Sequence, residues 1–188
     1  MSAVRDWQRN RQMWIRILEK QTGEGLEVWN RRLASQRLKD KASLRAWLTQ
    51  YGVKGYAQSL LVMEQFGYPD FILATADQLI QQQYADRHQL LPIYNAVIEA
   101  AEAIGEVTIQ ARKTYVSLLT PRRTFARVQP TTKTRLDLGL RLDNVKPAGR
   151  LQPSKFHETM RLQISLTAAD EVDTEVTDWL RRAYAENS

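Results

Sequence analysis

The chain contains no cysteine and only two histidines, so the side chains most often used in catalysis and metal binding are scarce. The lack of cysteine excludes disulfides and a thiolate nucleophile and fits a reducing cytoplasm. No hydrophobic run in the sequence approaches the ~20 residues that a membrane helix needs. The N-terminal segment also lacks the apolar stretch of a secretory signal. We therefore expect a cytoplasmic protein that does not bind a membrane.

Catalytic and metal-binding motifs are equally sparse. His157-Glu158 begins like a zincin motif, but Arg161 stands where the second histidine belongs, and the other histidine, His88, is distant in sequence. The Gly23-Glu24-Gly25 stretch lacks the third glycine and the flanking strand of a dinucleotide fingerprint. We predict no catalytic residue, no metal site and no cofactor. An enzyme that uses His157 with nearby carboxylates is kept as a third hypothesis.

The strongest pattern in the sequence is the alternation of apolar and polar residues between Glu106 and Leu166, which is typical of β-strands. Leucines occupy every second position from Leu136 to Leu142, and Met160–Leu166 repeats the pattern. Successive side chains of a strand point to opposite faces, so each run predicts one dry and one wet face, as in an antiparallel sheet. The sequence Thr-Pro-Arg-Arg at 120–123 predicts a hairpin turn. We expect a polar loop between Leu142 and Glu158.

Apolar residues at helical spacing precede and follow this region, which predicts an α+β fold. The fold would consist of an all-helical N-terminal domain followed by a helix–antiparallel sheet–helix domain. We place the helical domain at 1–70, a linking helix at 71–89, and the α+β domain at 90–188. Asp40 and Asp70 are expected to cap helices, the second of which would include Ile80. Gln81–Gln83 would form the solvated end of that helix.

Short motifs in both halves are similar to known families. The N-terminal motifs, which include Thr22-Gly23, Trp29, Trp47-Leu48 and Gly52–Ala57, resemble domain of unknown function 4287. From about Leu90 the chain resembles domain of unknown function 5655, through Lys113-Thr114-Tyr115, Phe125-Ala126, Leu136–Leu142, Val172–Glu175, Trp179-Leu180 and Ala183-Tyr184. The resemblance implies a bacterial protein whose second domain is α+β. It implies no activity.

Positive charge is concentrated in the strand region. Residues 106–166 hold twelve Lys and Arg against four Asp and Glu, a net +8, whereas the whole chain carries +6. Such a distribution predicts a basic sheet surface for an anionic ligand or nucleic acid. Tyr115 and Phe125 could add stacking if either is exposed. The candidate binding residues are Arg112, Lys113, Tyr115, Arg122, Arg123, Arg127, Arg135, Arg141 and Arg161.

Two other interpretations stay open. The charges could belong to a solvated strand face that blocks aggregation between sheet edges, while the helical domain docks a partner protein. The helix, glycine turn and helix between Asp40 and Met63 could also form a DNA-reading helix-turn-helix, although base-reading side chains are scarce there. We prefer a non-catalytic binding or adaptor module, with the protein-interaction subunit as the alternative.

Overall fold

The computed structural model describes residues 7–36 and 38–188, except for the side chains of residues 7–9 and of residue 157. The chain divides into two compact units, a helical unit that ends at Ala74 and a sheet unit that spans Thr75–Ser188. The α+β class predicted from the sequence is confirmed. Among the described residues, no helix is long and apolar enough to cross a membrane.

In the described part of the helical unit the structure has five helices, which are α1 (Trp7–Thr22), α2 (Leu26–Ala34), α3 (Lys41–Gln50), α4 (Gly55–Phe66) and α5 (Asp70–Leu73). Asp40 caps α3, since its side chain accepts a 2.7 Å hydrogen bond from the Ser43 amide. Gly52 follows this helix at a φ of 76°, a conformation that favours glycine. The core of the unit is formed by residues that include Trp14, Leu18, Trp29, Leu33, Leu44, Leu48 and Leu60.

The sheet unit begins with α6 (Ala76–Tyr84) and α7 (Leu91–Glu102) and ends with α8 (Thr174–Asn187). The prediction that Asp70 caps a helix including Ile80 is wrong, because α5 and α6 are separate helices. Asp70 is the first residue of α5, which has no side-chain cap. Thr75 caps α6 instead, in a reciprocal capping box with Gln78.

Six strands form one antiparallel sheet. They are β1 (Thr108–Ala111), β2 (Val116–Leu119), β3 (Thr124–Pro130), β4 (Leu136–Leu140), β5 (Gln152–His157) and β6 (Met160–Leu166). Their spatial order is β1-β2-β3-β4-β6-β5. The hairpin at 120–123 is confirmed, and the Thr120 amide there donates a 3.0 Å hydrogen bond to the Arg123 carbonyl. The expected loop between Leu142 and Glu158 is wrong in part, because β5 lies within it.

One face of the sheet packs against α7 and α8. Strand pairing aligns a row of apolar residues across five strands, namely Ala111, Val116, Val128, Leu138 and Ile164. Val97 of α7 and Leu180 of α8 belong to the same buried cluster. The opposite face is not uniformly wet, contrary to the sequence prediction, because every residue of β4 is buried, including Asp137 and Gly139.

We expect Leu138→Ala to lower the free energy of unfolding by about 2–5 kcal/mol, because it removes a side chain that is fully buried between the sheet and its helices. Chemical denaturation monitored by circular dichroism measures this change. Lys146→Ala, at an exposed loop position, is the control and should shift stability by less than about 0.5 kcal/mol. A loss below about 1 kcal/mol for Leu138→Ala would contradict this position in the core.

Domain division remains a prediction, and a pair of fragments tests it. A fragment 75–188 should fold cooperatively, because it retains the α6 capping box and the core that surrounds the sheet. A fragment 90–188, which treats α6 as a mere linker, should be much less stable, because it lacks the fully buried side chain of Tyr84. Thermal unfolding of both fragments tests the boundary. Equal stability of the two would show that α6 belongs to a linker.

Candidate functional site

The sheet face opposite α7 and α8 carries a continuous polar row. Strand pairing aligns one residue from each of the six strands, in the order Gln110, Ser117, Arg127, Gly139, Gln163 and Gln152. Gln129, Asp137 and Ser165 form the adjacent row on the same face. Apart from Gly139, these two rows are therefore built from amide, hydroxyl, carboxylate and guanidinium groups, in contrast to the apolar face beneath the helices.

Three arginines on this face each contact a residue two positions away on the same strand or strand end. Arg112 donates to Gln110 Oε1 at 2.7 Å, and Arg127 donates to Gln129 Oε1 at 2.7 Å. Arg135 Nε lies 3.1 Å from Asp137 Oδ1. Because side chains two residues apart share a strand face, these pairs keep the three guanidinium groups on one surface. We call the set of Arg112, Tyr115, Arg127, Arg135 and Phe156 the arginine face.

Arg127 is the centre of this surface. Its guanidinium carbon lies 3.5 Å from the centroid of the Tyr115 ring and 5.2 Å from that of Phe156. Burial lowers the pKa of Arg127, while the nearby Tyr115 acts in the opposite direction. A guanidinium above aromatic rings retains its charge and gains cation–π attraction, so the group is held in place and remains cationic.

Phe156 reaches this position because residue 139 has no side chain. A Cβ atom built on Gly139 would lie 2.8 Å from Phe156 Cδ2, which is closer than such atoms approach in folded proteins. Phe156 belongs to β5, the strand that the sequence did not predict. The sequence interpretation named Phe125 as a second stacking residue instead. Phe125 is fully buried and contacts Tyr184 of α8 at a ring distance of 5.4 Å.

Asp137 is a buried carboxylate on this face, with only 1% of its surface exposed. It accepts a 2.6 Å hydrogen bond from Ser165 Oγ of the neighbouring strand and lies beside Arg135. Charged groups are seldom buried unless they are paired and hydrogen-bonded, and here both conditions are met. Among the described residues, neither Arg112 nor Arg127 has a carboxylate within 4.0 Å. Their positive charge is thus not neutralised by an ion pair in this part of the chain.

Strand order separates the nine candidate residues into groups. Arg112, Lys113, Tyr115 and Arg135 lie at the sheet end that contains the turns at 112–115 and 131–134, and Arg127 lies mid-strand. Arg122, Arg123, Arg141 and Arg161 lie at the other end. There Arg123 donates to the Glu186 carbonyl at 3.2 Å, and Arg122 contacts the Ser188 carbonyl at 3.5 Å. Both arginines thus meet the C-terminal end of α8, where positive charge complements the helix dipole.

Gln83 is a residue that the sequence interpretation placed wrongly, since it was expected at a solvated helix end. The side chain is buried, and its Nε2 donates to the carbonyls of Arg112 at 2.7 Å and Tyr115 at 3.2 Å. Gln83 therefore ties the end of α6 to the β1–β2 turn that carries two residues of the arginine face. Helical spacing is the signal that could have found it, because Gln83 lies four residues after Leu79 and three after Ile80 on the buried face of α6.

The fold and the surface together define an α+β domain with a helix-covered antiparallel sheet and a cationic, aromatic second face. Comparison with family models matches residues 80–187 to Domain of unknown function (DUF5655). The chain therefore belongs to this family, as the C-terminal resemblance predicted. The match begins within α6, earlier than the boundary expected from the sequence. Neither the search of curated proteins nor the search of solved structures found a match.

We expect Gly139→Ala to destabilise the protein by about 1–3 kcal/mol, because its Cβ would displace Phe156 from the arginine face. A double-mutant cycle with Phe156→Ala tests the cause. In the Phe156→Ala background the same glycine substitution should cost at least about 1 kcal/mol less, because the clashing ring is gone. Denaturant unfolding of the four proteins provides the measurement. Additive costs would contradict the contact between residues 139 and 156.

Proposed function

We propose that the sheet unit is a non-catalytic binding module whose arginine face binds single-stranded nucleic acid. The observation that carries the proposal is the placement of Arg127 against Tyr115 and Phe156, beside Arg112 and Arg135 on one strand face. Proteins that bind single strands combine cationic groups that follow the backbone with aromatic rings on which bases stack. A sheet surface presents both kinds of group at strand spacing.

The distribution of charge favours an anionic ligand over a neutral or cationic one. Arg112 is exposed, and the acceptors of Arg112 and Arg127 are neutral amides, so phosphate oxygens could add to these contacts without displacing an ion pair. Asp137 is buried beneath the surface rather than presented on it. Phosphate contacts of this type carry little sequence information, so we expect weak sequence preference.

Salt dependence tests the proposal. A fluorescence-anisotropy titration with a labelled single-stranded oligonucleotide should give a slope of log K against log salt of about −2 to −3, since each phosphate contact on a single strand contributes about 0.7. The double variant Arg112→Gln/Arg127→Gln should reduce that slope by about 1.4. Tyr115→Leu should weaken binding by about 1–3 kcal/mol without changing the slope, because stacking releases no counterions.

The matched control is Arg122→Gln/Arg181→Gln, which removes the same net charge at exposed positions outside the arginine face. It should leave the slope within about 0.3 of the wild-type value, since charges beyond a Debye length of about 8–10 Å are largely screened. A flat signal with single-stranded probes would refute the proposal. An equal loss of slope in the control variant would show that binding depends on net charge alone.

A second candidate is docking of a partner protein through the helical unit. It is favoured by one observation: among the described residues, all large hydrophobic side chains that are exposed belong to this unit, namely Met13, Tyr51, Tyr56, Phe71 and Leu73. Tyr56 is 59% exposed and stacks on Trp14 at a ring distance of 5.6 Å. Exposed aromatic residues are enriched at protein interfaces. This adaptor function requires no signal with any nucleic-acid probe.

The N-terminal family assignment also remains our proposal. Its support is that the matching motifs serve the core and turns of the helical unit: Trp29, Leu48 and Val53 are buried, and Gly52 adopts positive φ. A bacterial origin and a cytoplasmic location stay predictions. The hypothesis of catalysis by His157 concerns a side chain outside the described part of the structure.

A further inference from the structure

A groove of about 350 Å³ opens at the end of the sheet that carries Arg112, Tyr115 and Arg135. The C-terminal part of α6 contributes one wall, and the β1–β2 turn and the end of β3 contribute the others. The volume lies at the lower end of the range for small-ligand sites. Its polar lining residues are Gln82, Gln83, Arg87, Lys113, Thr114 and Gln129.

Two side chains that line the groove hold its walls together. Gln83 of α6 donates through Nε2 to two carbonyls of the β1–β2 turn, at 2.7 and 3.2 Å. Arg87 donates to the carbonyls of Pro130 at 3.0 Å and Thr132 at 3.4 Å, at the end of β3 and in the turn that follows it. Its other two nitrogens contact Asp86. The groove is therefore preformed, and its arginine is engaged in holding a wall rather than free for an anion.

The side-chain groups that stay free in the groove are neutral and include both donors and acceptors. Gln82 and Thr114 form no side-chain hydrogen bond within the described part of the chain. Gln129 accepts from Arg127 through Oε1, so its Nε2 remains available as a donor. Gln83 has the reverse arrangement, because its Nε2 is engaged and its Oε1 is buried without a donor among the described residues. A neutral ligand that carries both donors and acceptors suits such a lining.

The edge of a nucleobase has this chemistry. Sequence-specific recognition of single strands uses bases that are splayed out, stacked on aromatic side chains and hydrogen-bonded along their edges. Glutamine is one of the side chains that form paired hydrogen bonds with a base edge. Pro130 supplies an apolar part of the lining. We infer that this groove binds one base of the single strand and reads its edge through the amides and the hydroxyl of the lining.

The groove is continuous with the arginine face. Thr114 lines the groove and directly precedes Tyr115, the ring on which a neighbouring base would stack. Gln129 lines the groove and also accepts the hydrogen bond from Arg127. The inference rests on the proposed function and adds to it base recognition at a single position. Contacts to phosphate carry no sequence information directly, so a preference at that position would arise in the groove.

Four labelled oligonucleotides of about eight nucleotides test the inference, a length within the site sizes of single-strand binders. They contain only adenine, only cytosine, only thymine, or guanine alternating with thymine. Anisotropy titrations with the full chain should show about tenfold tighter binding of the best composition than of the weakest, the size of one well-formed base contact. The favoured composition identifies the base.

A matched pair of double variants locates the preference. Gln82→Ala/Thr114→Val removes two groove side chains that form no hydrogen bond within the described chain, and should reduce the preference to about twofold or less. Gln81→Ala/Thr134→Val makes the same changes at exposed positions that do not line the groove, and should retain the preference. Because neither variant removes a cation, both should keep the wild-type slope of log K against log salt. Equal loss of preference in the two variants would overturn the assignment.

The outcomes separate this inference from the proposed function. Equal affinity for all four oligonucleotides would refute base recognition and leave binding by the arginine face intact. Absence of binding to every oligonucleotide would refute both. If the preference survives in Gln82→Ala/Thr114→Val and disappears in Tyr115→Leu, it comes from the strength of stacking and the groove inference is wrong.

Discussion

Hydrogen-bonded register among β3, β4 and β6 determines what each face of the sheet unit can do. Because Val128, Leu138 and Ile164 align across these strands, their side chains meet α7 and α8 on one side. The same register necessarily aligns Arg127, Gly139 and Gln163 on the other side. A slip by one residue would exchange the two sets, burying the guanidinium group and exposing the leucine. Burial of the apolar row therefore also positions the arginine face.

The arginine face gains order from neutral partners rather than from ion pairs. Amide acceptors on Gln110 and Gln129 orient two guanidinium groups without cancelling their charge. The aromatic rings of Tyr115 and Phe156 also hold the guanidinium of Arg127 in place by direct contact. A side chain that is already held loses less rotamer freedom when a ligand binds. This preorganisation distinguishes the surface from a set of mobile lysines with the same net charge.

Most of the sheet could be predicted from the sequence because one of its faces is apolar. The alternation at Leu136–Leu140 and Met160–Leu166 indicates that one face of each strand is buried, and this can be inferred without knowing which strands or helices pack against it. The strand β5 was not predicted because its sequence lacks the alternation of apolar and polar residues. Its pairing with β6 is correspondingly irregular between Pro153 and His157. The exchange of Phe125 for Phe156 has a related cause, since a bulge near Leu118 and Leu119 disturbs the register beside Phe125. The burial of Asp137 depends on tertiary partners that local sequence does not encode, because alternation along β4 places this residue on the polar face.

The two outer strands of the sheet also bear on how the protein behaves at high concentration. An edge strand with a regular row of free backbone groups can pair with another molecule and start aggregation. Here β1 has only four residues, and β5 contains Pro153, the exposed Lys155 and a break in its ladder. Proline at an edge removes a donor that an incoming strand would need. The same irregularity that kept β5 from being predicted makes it a poor template for strand addition. We therefore expect little edge-to-edge pairing between copies of this sheet.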